Sequence, residues 1–280
     1  MNAPQLLVAL QTNDEGSRVR HIAHQIAEFR HAQLHVIDLT RTGITTTSST
    51  AKSVLHAEPH ANEASWSNAR VDRESTTTVP EHALEPIVKT ADKINAELVI
   101  VGADRRQGIR RLLPLATHRL CEALHCPMLT VRSKGSLSGY QRIGIALDPS
   151  CSPMQVTETA LRFANMATKV SVVTVIPPPL RTVPNLENLS GLHWSSMEDT
   201  VRFKRKVRSE AAEALRDAGL HPKIMNVRTG DIFYELMASA KEMRADLMII
   251  CPDKRQTRNR YFSRSTVGRL LNRMPCDVLV

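Results

Sequence analysis

Aromatic side chains are scarce in this chain of 280 residues, where Phe, Trp and Tyr together make up 4%. A core must therefore be built from Leu, Ile, Val and Ala, and the 42% hydrophobic content is that of a globular protein. No apolar run approaches the roughly 18–20 residues that cross a bilayer as a helix, so no membrane span is expected. A basic leader is also missing. The opening MNAPQLLVALQTNDE runs from an apolar stretch into an acidic turn, and no signal peptide is expected. The 5 cysteines show no paired spacing. They point to reduced thiols in a cytoplasm, not to a disulfide framework. The chain also lacks a G-x-S-x-G elbow, a G-x-x-x-x-G-K-[ST] loop and a G-x-G-x-x-G fingerprint. Those absences leave no catalytic residue to nominate, and a non-enzymatic protein is expected.

Charge is present and unevenly spread. Up to Gly139 there are 16 Lys/Arg against 14 Asp/Glu, and beyond it 21 against 14, so most of the formal +9 lies in the second half. One cluster is Arg202, Lys204, Arg205, Lys206 and Arg208. The other is Lys254, Arg255, Arg258, Arg260, Arg264, Arg269 and Arg273. Basic fields attract phosphates and other polyanions, although a solvated helix face explains the first cluster equally well.

The decisive feature is an internal repeat. EPIVKTADKINAELVIVG, ending at Gly102, parallels ELMASAKEMRADLMIIC, ending at Cys251. Ala91, Ala96, Leu98 and Ile100 fall on Ala240, Ala245, Leu247 and Ile249 at one constant offset. Each segment reads as an amphipathic helix entering a buried strand. Downstream, RLCEALHCPMLTV parallels RLLNRMPCDVLV, which pairs Cys126 with Cys276.

The beginnings agree as well. Apolar runs at Leu6–Leu10 and Ile143–Leu147 lead into the polar loops QTNDEGS and DPSCSP. Helices follow, with apolar faces of Val19, Ile22, Ile26 and Phe29, and of Val156, Ala160, Phe163 and Ala167. Further apolar runs lie at Leu34–Leu39 and Val170–Ile176. Alternation of this kind predicts parallel sheets covered on both faces. Right-handed crossovers then make each repeat an α/β doubly wound, Rossmann-like unit of about five strands. The Ser- and Gly-rich SKGSLSGY places the joint at 133–140, giving domains 1–135 and 140–280. The halves differ in the middle. Residues 42–67 predict a poorly formed helix or a loop, whereas a strong helix is expected from about Met197 to Ala218, with Phe203, Val207, Ala211 and Ala214 on one face.

In their order and duplication, VALQT, NAELVIVG and HCPMLTVR, then ALDPS, RADLMIIC and PCDVLV, resemble the universal stress protein family, in its tandem two-domain type. The resemblance covers nearly the whole chain. It implies parallel sheets of order 3-2-1-4-5, two domains joined as an intramolecular pseudo-dimer, a homo-dimer as a further option, and a role in stress response.

ATP-binding members of that family carry an Asp after the first strand and a loop G-x-x-G-(x)9-G-[ST]. The glycines let backbone N–H groups approach phosphates, and the last pair opens a helix whose dipole favours anions. Both halves depart from this pattern. In the first, Gln11 stands for the Asp; Gly102 and Gly108 survive, but Arg105, Leu115 and Ala116 occupy glycine or serine positions. This is the weaker candidate. The second half keeps Asp148, Ser150, Ser265 and Thr266, while Cys251, Pro252 and Asp253 stand where the loop begins and Arg264 replaces its last glycine. Arg255, Arg258, Arg260 and Arg264 are the arginines that could replace the lost backbone donors, with Arg255 and Arg264 the named candidates, because guanidinium forks match phosphate oxygens. ATP or AMP is the cofactor this site would take.

Eleven histidines raise the question of a metal, but His21, His24, His31 and His35 have no Cys or carboxylate company at zinc spacing, so none is expected. His118 and His125 read as structural. Cys126 and Cys276 read as buried packing residues, and Cys151 as an ordinary thiol despite its place before a helix. Three functions stay open: a non-enzymatic stress protein acting through protein contacts, an adenine-nucleotide sensor using the second half, and an RNA or polyanion binder. A base-stacking platform is poorly supported, since only Tyr261 and Phe262 lie near the basic loops.

Overall fold

The computed structural model describes residues 3–10, 13–38, 45–50, 84–102, 113–132, 139–147, 159, 163, 169–176, 197–217, 219–250 and 264–280. The chain divides into two compact units, Met1–Gly139 with Asp277–Val280, and Tyr140–Cys276.

The first unit contains β1 (Gln5–Leu10), α1 (Asn13–Arg30), β2 (Gln33–Asp38), β3 (Thr45–Thr50), α2 (Leu84–Lys93), β4 (Leu98–Gly102), α3 (Leu113–Ala123) and β5 (Met128–Val131). The final strand of the chain, β10 (Asp277–Leu279), joins it. The strands lie in the order β3-β2-β1-β4-β5-β10. β1 runs parallel to β2 and β4, and β4 parallel to β5. Leu6–Leu10 and Leu98–Val101 are buried throughout, as strands covered on both faces must be.

Two strands depart from the parallel sheet that the sequence predicts. β3 pairs antiparallel with β2, and it stands where residues 42–67 were read as a weak helix or loop. The reason is chain length. β3 starts a few residues after Asp38, and a parallel return needs a crossover of about a dozen residues or more. β10 is also antiparallel to its neighbour β5.

The second unit contains β6 (Arg142–Ala146), β7 (Lys169–Ile176), α4 (Met197–Asp217), β8 (Ile224–Thr229), α5 (Ile232–Glu242), β9 (Leu247–Ile250) and α6 (Arg264–Arg273). Its strands lie in the order β9-β6-β7-β8, all parallel. Here β7 and β8 are joined through α4, long enough to cross over. Of the predicted α4 face, Val207 and Ala211 are buried and Phe203 half-buried. Gly219, at φ 79°, ends α4, and the Leu220 N–H returns to the Leu215 carbonyl at 2.8 Å.

The repeat holds at the level of single hydrogen bonds. Asn95 and Arg244 both take left-handed φ at the ends of α2 and α5. Beside them, the Ala96 N–H bonds the Ala91 carbonyl at 2.8 Å, and the Ala245 N–H bonds the Ala240 carbonyl at 2.9 Å. Glu97 then donates to Gln5, and Asp246 to Arg142, as each chain enters its fourth strand. The four alanines matched in sequence thus cap two equivalent helices.

One predicted core residue is not in the core. Val19, Ile22 and Ile26 are buried, but Phe29 is 61% exposed. The buried stripe of α1 turns toward Ala23 and Ala27, and position 29 falls off its edge. Of the helix read over 156–167, only Thr159 and Phe163 are described, both helical.

Candidate functional site

In the second unit, β6 is flanked by β9 on one side and β7 on the other. Ala146 pairs with Ile250, so the chain leaves β6 and β9 toward residues 148 and 251 from adjacent strand ends. Leu147, the last described residue before the first loop, donates its N–H to the Val173 carbonyl at 2.9 Å. This is the switch point at which open α/β sheets bind ligands. The first unit repeats the arrangement, with Ala9 paired to Val101.

Helix α6 opens with Arg264, Ser265 and Thr266. Ser265 is exposed and Thr266 half-buried. Its first turn holds no acidic residue, and neither does that of α3 in the first unit. Helix α5 contrasts with both. Its N-cap Asp231 accepts the Tyr234 N–H at 3.1 Å, and Glu235 lies in its first turn. The positive end of the α5 dipole is therefore met by the protein's own carboxylates, whereas the first turns of α3 and α6 supply none of their own.

Of the residues singled out in the sequence, Gly102 is the last residue of β4. A Cβ added there would make ordinary contact with Val19 Cγ2 at 3.4 Å, so packing alone does not demand glycine. Ser265 and Thr266 stand in the first turn of α6. Arg264 opens that helix, and its side chain lies outside the described residues. Gly108, Asp148, Ser150, Cys151 and Arg255 also lie outside them, as do Gln11 and 251–253.

The basic helix is α4. Arg202, Arg205, Lys206 and Arg208 are exposed on it and Lys204 is half-buried. Lys206 lies 3.8 Å from Glu210. Among the described residues there is no group of three metal-ligating side chains. His21 is exposed and His24 half-buried on α1, as surface residues of that helix should be. Cys276 is buried, whereas its repeat counterpart Cys126 is half-exposed. No helix among the described residues is long and apolar enough to cross a membrane.

Sequence reasoning overlooked the strongest polar cluster. Arg18 on α1 and Asp277 on β10 are both buried, and Arg18 Nη1 and Nη2 donate to Asp277 Oδ1 and Oδ2 at 2.9 and 2.8 Å. Arg18 Nη1 also donates to the Arg132 carbonyl, and the Arg132 N–H donates to Asp277 Oδ1 at 2.8 Å. A signal was available. Asp277 is a charge inside an apolar strand, at the place where the first repeat has Pro127. On the other unit, Arg228 reaches Glu235 and Glu242, and the Arg269 guanidinium lies 4.0 Å from the Phe233 ring centroid.

The family model described as the universal stress protein family matches residues 4–132 and again 139–280. A search of curated proteins finds no match. Among solved structures, a functionally unknown protein from Pseudomonas aeruginosa is 14% identical, with a TM-score of 0.60 over 99% of this chain and 92% of the other. A universal stress protein from Archaeoglobus fulgidus is 13% identical, with a TM-score of 0.58 over 99% of this chain and 95% of the other. These likenesses bear on the fold. With the family matched along both repeats, the chain belongs to the universal stress protein family, as a tandem of two family domains.

Proposed function

We propose that this protein is a non-enzymatic, cytoplasmic stress-response protein of regulatory or protective kind, which works through its two repeats and holds at most a degenerate nucleotide site. One observation carries this reading. The scaffold of a ligand site is kept, since β6 and β9 end side by side, but 251–263 contains no glycine. Backbone N–H groups reach a phosphate most easily where side chains are absent, so a cradle of Cys251, Pro252 and Asp253 is a poor one. In the first repeat Gln11 replaces the carboxylate that would meet nucleoside hydroxyls. The expected outcome is protein that purifies without nucleotide, read by mass spectrometry of the denatured supernatant.

The second reading is an adenine-nucleotide sensor that takes ATP or AMP in the second repeat. It is favoured by the acid-free first turn of α6 with Ser265 and Thr266, and by the retention of Asp148 and Ser150 after β6 in the sequence. Here the same assay releases adenine nucleotide, and Asp148→Ala abolishes the release. The basic run Lys254, Arg255, Arg258 and Arg260, which follows β9 in sequence, favours a third partner class, RNA or another polyanion. That reading requires retention that falls steeply with salt and is lost on reversing Arg255, Arg258 and Arg260.

A further inference from the structure

β5 is an apolar strand whose outer edge would be open without β10. Met128, Leu129, Thr130 and Val131 are all buried, and among the described residues the short strand β10 covers their edge away from β4. Unpaired edges of this kind recruit strands from other chains. The register makes such recruitment geometrically easy. Leu129 pairs with Leu279, and these two leucines hold equivalent places in the repeat. The ladder is therefore symmetric about that pair. Met128 and Val280 exchange N–H···O bonds at 2.9 and 3.0 Å on one side, and Thr130 pairs with Val278 on the other. A β5 strand from a second copy could occupy the same register with two-fold symmetry, Leu129 opposite Leu129.

Backbone geometry thus leaves two occupants nearly equal, and the side chains separate them. With β10 in place, Asp277 meets both guanidinium nitrogens of the buried Arg18 and the Arg132 N–H. With a second β5, the equivalent position is Pro127, which has no carboxylate. Arg18 would then stay buried without its carboxylate, keeping the Arg132 carbonyl as its acceptor among the described residues, and an uncompensated buried charge is strongly disfavoured. Pairing of two β10 strands fails in the complementary way. Asp277 would lose its arginine, because Gln155 precedes Val156 where Arg18 precedes Val19. Each like-with-like pairing loses the Arg18–Asp277 ion pair, and the unlike pairing keeps it.

We infer that the Arg18–Asp277 pair is a pairing-specificity lock that commits the β5 edge to the chain's own C-terminal strand and rejects the β5 edge of a second copy. The pair acts by discrimination between strands that share a register. Stability alone is not its role.

The test uses the full chain with Leu129→Cys and Leu279→Cys, a cross-strand pair flanked by the hydrogen-bonded Met128–Val280 pair and suited to a disulfide. Mild oxidation at about 1 mM protein, near the effective concentration of a tethered strand, is followed by non-reducing peptide mapping. The parent should give the intrachain 129–279 linkage. Adding Arg18→Met and Asp277→Leu removes both charges without leaving one unpaired, so the fold is retained while the discrimination is lost. The interchain 129–129 linkage should then rise at least tenfold, and the swap Arg18→Asp with Asp277→Arg should suppress it again. Asp277→Asn serves as a milder variant with the same expected direction if the apolar pair fails to fold. Purely intrachain linkage in the folded charge-free variant, or abundant 129–129 linkage in the parent, overturns the inference.

Discussion

Gly144 on β6 stands against Met248 on β9, and a Cβ built at position 144 would lie 2.8 Å from the Met248 sulfur. Met248 is fully buried, so its side chain cannot swing into solvent to make room. Gly144→Ala should therefore destabilise the second unit by about 1–3 kcal/mol, the usual range for overpacking. Met248→Val in the same chain should recover part of that loss. Urea denaturation of the four members of the double-mutant cycle checks this through its coupling energy.

Ile22 and Phe29 lie on one helix with opposite consequences. Ile22 is 1% exposed and Phe29 61%. Ile22→Ala should cost about 2–5 kcal/mol through lost burial and the cavity left behind. Phe29→Ala should stay within about 0.5 kcal/mol. Thermal melts of the two variants give the comparison, and equal losses would contradict the orientation of α1.

The N-cap of α5 is a local device with a local cost. Asp231→Ala leaves the Tyr234 N–H without its side-chain acceptor and removes a negative charge from the helix start. A loss of about 0.5–2 kcal/mol is expected, and Asp231→Asn should restore most of it. Amide exchange at Tyr234 and Glu235 reports whether the first turn frays.

His35 on β2 predicts a pH effect. Burial lowers its pKa below 6.5, and its Nε2 lies 2.7 Å from Gln5 Oε1. The unfolded chain therefore binds this proton more tightly than the folded one does. Its contribution is fully present above about pH 6.5 and is lost as pH falls from there through the lower folded value. His35→Gln should flatten that part of the stability curve, measured by urea titrations between pH 8 and 5. An unchanged slope would remove His35 as the cause.

Local pattern carried a large part of the fold. The periodicity around Ala91–Leu98 and Ala240–Leu247 reports helix, cap and buried strand together, because the same residues set all three. Duplication then supplied an internal check, since a pattern present twice is not accidental. The errors came where neighbours in space are not neighbours in sequence. Thr45–Thr50 has no apolar pattern of its own, and it forms a strand because β2, ending a few residues earlier, offers it an edge. Phe29 matched the helical spacing and missed the buried stripe because the sheet covers α1 from the side of Ala23 and Ala27. The candidate site was legible only as a departure from a motif: glycines absent at 251–253, Ser265 and Thr266 retained.

Residue order along the chain was enough to specify twin βα repeats of the universal stress protein type, because periodicity and duplication are properties of order alone. It could not specify the partner of β10. β5 and β10 are equivalent strands, so sequence similarity makes like and unlike pairings look the same. Three-dimensional packing decided between them by burying Arg18 where Asp277 meets it. A buried charge must be met within hydrogen-bonding distance, and that distance exists only in the folded chain.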